Sequence, residues 1–147
     1  MVEPLGVEGL AQDINNRGQM VGIVRTTPQP AVMWQERELL LLPSRVGQNH
    51  ALALALNEHG VVVGSTTGGD PADPNRPTVA TLWQEGRVAD LNELITCPSL
   101  PESTSLGVAM DINERGQIAV NGANDFAPGV SRAFVLTPVS RRESCGP

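Results

Sequence analysis

The chain has 147 residues, with 16 acidic side chains against 10 arginines, no lysine and a net charge of −6. That length suits one domain, and the charge excludes a broad nucleic-acid footprint, which needs clustered positive charge. No stretch reaches the ~20 apolar residues of a membrane-spanning helix, and the start, "MVEPLGVEGL", lacks the basic-then-apolar order of a signal peptide. Cytoplasmic residence is the default expectation, with secretion the alternative if a leader has been removed.

The first patterned stretch is "AQDINNRGQMVG" at 11–22. An asparagine side chain can accept the backbone N–H two residues on, and glycine takes positive φ without penalty. Asn15 to Gly18 therefore reads as a hairpin turn between two short strands. The pattern returns as "ALALNEHGVVVG" at 53–64 and "AMDINERGQIAV" at 109–120, with Asn57 and Gly60, then Asn113 and Gly116, at the same offsets. Three copies with variable spacing mark a repeat scaffold.

After each first hairpin comes a second. "PAVMWQERELLLLP" at 30–43 parallels "VATLWQEGRVADL" at 79–91, with Trp34 and Trp83 each before a polar turn. One unit therefore reads as four strands, in the middle copy roughly 51–56, 61–66, 78–83 and 87–91. Asp90 is placed to cap a short helical turn holding Leu91, Leu94 and Ile95, which Pro98 would end. The third copy reaches "RAFVLTP" at 132–138 and has no fourth strand. The expected units span about 7–43, 48–95 and 105–138 of a single domain over 1–140, with 141–147 as a tail.

A four-stranded unit cannot bury both faces without a neighbour on each side. The expected fold is all-β: three propeller blades per chain, closing as a six-bladed homodimer. Val2–Leu5 would serve as the missing outer strand of the last blade, exchanged between subunits. Pro4 is tolerable at such an edge. A β-trefoil monomer is the alternative, since three units of four strands also describe it. The pattern Ala-x-x-Ile-Asn-x-x-Gly-x-x-Val-Gly, followed by Arg132-Ala133-Phe134 and Leu-Thr-Pro, resembles the bacterial extracellular repeat proteins named after their His-Ala-Phe signature. The resemblance implies a propeller-like scaffold, often secreted, with no general activity.

Function in such a scaffold belongs to the irregular end, opposite the Asn turns. His50 is the best candidate general base, since a histidine ordinarily titrates near neutrality. Asp70, Asp73 or Asp125 could orient it; the plainer reading is an exposed strand-end histidine. His59 sits within a turn and reads as solvent-facing. Asp13 and Asp111 share one position in their units, as a paired-carboxylate site or as acceptors of turn N–H groups. Arg45, Asn49, Asp73, Ser105, Asn124, Asp125 and Phe126 are candidate ligand contacts on the loops. Asp70, Asp73 and Asn75 in "GGDPADPNRP" offer oxygen ligands for calcium, a weak cofactor candidate because the spacing is not that of an EF-hand. Ordinary rigid turns explain the same residues.

Cys97 and Cys145 are too few for a disulfide framework or a zinc site, and read as free thiols or one tail-clamping bridge. No Gly-x-Ser-x-Gly elbow or phosphate-cradling glycine loop occurs. The leading expectation is a module that binds a small molecule, glycan or protein through its loops, as a homodimer, without nucleic-acid or membrane partners. The rival is a small dimeric enzyme, a hydrolase or acid/base catalyst, with a cavity around His50.

Overall fold

The computed structural model describes residues 1–2, 4–96, 100–101, 103–124 and 129–139. The chain is all-β, in three antiparallel meander sheets. Sheet one holds β1 (Gly9–Ile14), β2 (Met20–Val24), β3 (Ala31–Gln35) and β4 (Glu38–Leu41). Sheet two holds β5 (Gln48–Leu56), β6 (Val62–Gly68), β7 (Thr78–Gln84) and β8 (Arg87–Asp90). A 3-10 turn at Leu91–Leu94 follows, then sheet three with β9 (Thr104–Ile112), β10 (Ile118–Asn124) and β11 (Ser131–Leu136). Within each sheet the spatial order is the chain order.

The sequence signals explain these elements. Asn15, Asn57 and Asn113 each accept two turn N–H groups through Oδ1: those of Arg17 and Gln19, His59 and Val61, Arg115 and Gln117. Gly18, Gly60 and Gly116 close the turns at φ of 73°, 75° and 75°, where a Cβ would be strained. Each first strand also carries a bulge one residue past the opening alanine, at Ala11/Asp13, Ala53/Ala55 and opposite Ala119/Val120. Trp34 and Trp83 occupy one register position, opposite Met20 and Val62, and Leu136 takes it opposite Ile118. The Asp90 side chain caps the 3-10 turn by accepting the Asn92 N–H.

One strand boundary differs from expectation. Strand β5 begins at Gln48 rather than near 51, because Gln48 and His50 pair with Gly68 and Thr67 before the apolar alternation starts. Val2–Leu5, expected as a strand exchanged between subunits, makes no strand pairing with its own chain among the described residues. Val2, Pro4 and Leu5 lie outside any strand and are exposed, and β11 remains the open edge of sheet three. Pro98, both cysteines and the tail at 141–147 lie outside the described residues.

Sheet two packs between the other two. Towards sheet one it buries Ala51, Ala53, Leu56, Val62 and Trp83 against Val21, Ala31 and Met33. Towards sheet three it buries Ala55, Val63, Ala80 and Leu91 against Leu106, Ala109, Ile112, Ile118 and Val120. Small residues alternate with large ones along β5, so both faces of the strand accept a close neighbour.

A polar ladder stitches the turns together. Asn15 Nδ2 donates to the Asn57 carbonyl at 3.1 Å, and Asn57 Nδ2 to the Asn113 carbonyl at 3.2 Å. Beside it, the Glu58 carboxylate accepts the Asn16 N–H, and that of Glu114 accepts the Glu58 N–H. One residue type at one offset thus closes its own hairpin and ties it to the next sheet.

Candidate functional site

The loop end of the junction between sheets one and two holds a recess of about 250 Å³. Pro28, Gln29 and Pro30 from the β2–β3 loop form one wall, and Ser44 with Gln48–Ala51 forms the other, with Thr66 behind. The walls are fixed by backbone pairing. Gln29 bridges to His50 in parallel, donating its N–H to the Asn49 carbonyl at 3.1 Å and accepting the Ala51 N–H at 2.9 Å. Asn49 Nδ2 anchors the next loop through the Gly69 carbonyl at 2.9 Å. Thr66 is tied to Thr81 by a 2.8 Å hydroxyl contact.

The lining holds no carboxylate or arginine and is more apolar than polar, with Pro28, Pro30 and Ala51 beside the amides of Gln29, Gln48 and Asn49. Gln48 Oε1 and Asn49 Oδ1 are both buried without a hydrogen-bond partner. A buried acceptor left unmade costs about 1–3 kcal/mol, and both oxygens are closed to solvent, so neither meets a ligand unless its side chain turns. His50 lines the same recess. No carboxylate is hydrogen-bonded to it among the described residues.

The other candidates are spread over the molecule. Arg45 pairs with Asp90 Oδ2 and Glu93 Oε1, both at 3.0 Å, clamping the linker after β4 onto the outer edge of sheet two. Asp70 Oδ1 accepts the Ala72 N–H and Asp73 Oδ1 the Asn75 N–H, which makes them local turn-formers. Asn75 is exposed beside them, and no group of three His, Cys, Asp or Glu suited to a metal ion occurs among the described residues. Asp13 Oδ1 accepts the Ile14 N–H and its Oδ2 the Leu56 N–H at 3.0 Å, so this carboxylate joins sheets one and two. Asp111 accepts the Ile112 N–H in the same way. His59 is exposed, 3.9 Å from Glu114.

Ser105 is exposed in β9, opposite Ala123. Asn124 ends β10, and Asp125 and Phe126 lie outside the described residues. Sequence reasoning therefore found Asn49 and His50 but missed Gln29, Gln48 and Ser44. Their only signal was proximity to a strand start. A second cavity, about 650 Å³ and mainly apolar, runs along the open edge of β11 between Phe134–Val139 and Leu91–Thr96. Among the described residues, no helix is long and apolar enough to cross a membrane.

No family model, curated protein or solved structure matches the chain.

Proposed function

We propose that the chain is a binding module of propeller type, in which stacked β-sheets present loop-end recesses to a small neutral ligand such as a sugar. The single observation carrying this reading is the recess at His50. It combines a lining without carboxylate or arginine, the side chains of Gln29, Gln48, Asn49 and His50, and walls held by backbone pairing. Amide side chains and an imidazole lining a recess suit hydroxyl groups, which both donate and accept. Six sheets from two chains would complete the ring, and the His-Ala-Phe resemblance implies a propeller-like scaffold. The rival enzyme reading depends on the same His50 and lacks an acid bonded to it among the described residues.

Backbone amide NMR during titration with a panel of neutral mono- and disaccharides tests the proposal. The expected result is shifts centred on Gln29, Gln48, Asn49 and His50, abolished by Gln48→Ala and His50→Ala. Shifts confined to other regions, or none up to tens of millimolar, would remove the sugar-binding reading.

A further inference from the structure

The stack of sheets is interrupted at both ends in complementary ways. At one end, Asn113 Nδ2 bonds Gln117 within its own hairpin and reaches no further carbonyl among the described residues. At the other end, the Asn15 carbonyl accepts only the Gly18 N–H among the described residues, whereas those of Asn57 and Asn113 also receive an amide from the preceding turn. The ladder thus has one unused donor and one unused acceptor. Arg17 Nη1 donates to the Glu58 carbonyl across the first junction, and Arg115 stands at the same position in the third turn.

The apolar faces end in the same fashion. Leu82, facing sheet three, and Val135 share one register position, opposite Val63 and Ala119. Leu82 is packed into the core beneath sheet three, whereas Val135 is 69% exposed. On the other side, Leu56 and Ile14 share a position opposite Val62 and Met20, and they are 5% and 60% exposed. The tryptophans differ at the same junctions: Trp83 Nε1 donates to the Pro43 carbonyl at 2.9 Å, while the equivalent Trp34 Nε1 is buried without a partner. Trp34 and Val32 are themselves 3% and 0% exposed, so the open part of this face of sheet one is its β1 edge, where Ile14 lies.

We infer that sheet three of one copy docks on sheet one of a second copy, head to tail, repeating the internal junctions. This rests on the ring reading above and gives it a defined seam. Asn113 then donates to the Asn15 carbonyl of the second copy, Arg115 reaches the Asn16 carbonyl, and Val135 covers the face carrying Ile14. The seam is heterologous, so two copies form it twice, and it closes only if each sheet turns by one sixth of a circle.

Sedimentation of the wild type, Val135→Arg, Ile14→Glu and their equimolar mixture tests the inference. Both substitutions sit at exposed positions, and circular dichroism confirms that the variants fold. The wild type is expected at twice the chain mass of 15.6 kDa, and each variant alone at the chain mass. The mixture should return to the doubled mass, because it restores one native seam and one Arg–Glu seam. Asn113→Asp, which removes the donor from both seams, should weaken assembly about thirtyfold, as loss of two hydrogen bonds worth roughly 1 kcal/mol each predicts. A dimer indifferent to either substitution overturns the seam while leaving dimerisation intact. A wild type that stays at chain mass overturns both seam and ring. Masses that climb without limit retain the seam and overturn ring closure.

Discussion

Sheets one and two carry the same Asn-closed hairpin and the same four-strand pattern, yet among the described residues only sheet two packs a sheet on both faces. The difference appears along single strands. In β5 the alternating residues Ala51, Ala53, Ala55 and Leu56 are all buried, while every residue of β1 except Asp13 is exposed. A residue's contribution here is set by its place in the stack more than by its type. Repeat scaffolds behave this way, because stability is close to a sum of unit and neighbour-interface terms.

The comparison can be broken most directly at paired positions. Leu56→Ala should destabilise by about 2–5 kcal/mol, the range for a large side chain removed from a core. Ile14→Ala, at the equivalent position, should cost under about 0.5 kcal/mol at dilutions where the chain is monomeric. Urea unfolding measures both, and equal losses would deny the distinction. Gly64→Ala should cost about 1–3 kcal/mol, because an added Cβ would overlap the Leu52 carbonyl oxygen; a wild-type midpoint would show that the β5–β6 approach is looser than described.

A finer test uses the ladder. Asn57 is 2% exposed and makes three hydrogen bonds with its side chain, two of them to turn N–H groups. Asn57→Ala should cost about 2–3 kcal/mol and Asn113→Ala about 1 kcal/mol, since the N–H groups freed at Asn113 can turn to water. Thermal melts would show the order, and its reversal would count against the ladder. Smallest is the clamp: Arg45→Ala should cost about 1 kcal/mol or less, since Arg45 and Glu93 are partly solvated. Most of that loss should vanish in high salt, and a salt-independent loss would point to packing by the arginine stem instead.

The periodic parts of the fold were legible because they repeat. Asn-x-x-Gly at fixed offsets identified three hairpins, Trp34 and Trp83 fixed the third strands, and Asp90 announced the 3-10 turn. The site was less legible, since its walls are not repeated. Gln29 meets His50 through a long-range bridge that no local pattern encodes. Arg45 looked like a ligand contact and is held by Asp90 and Glu93, partners 45 and 48 residues away. Asp13 read either as chemistry or as a turn acceptor, and the N–H at its Oδ2 belongs to Leu56 of the next sheet.

Hydrogen exchange followed sheet by sheet across a protein-concentration series bears on the central claim most closely. Association with a second copy should raise protection of β1 and β11 as concentration increases, while β6, already covered on both faces, changes least. Protection of the outer sheets that matches β6 and ignores concentration would contradict the account.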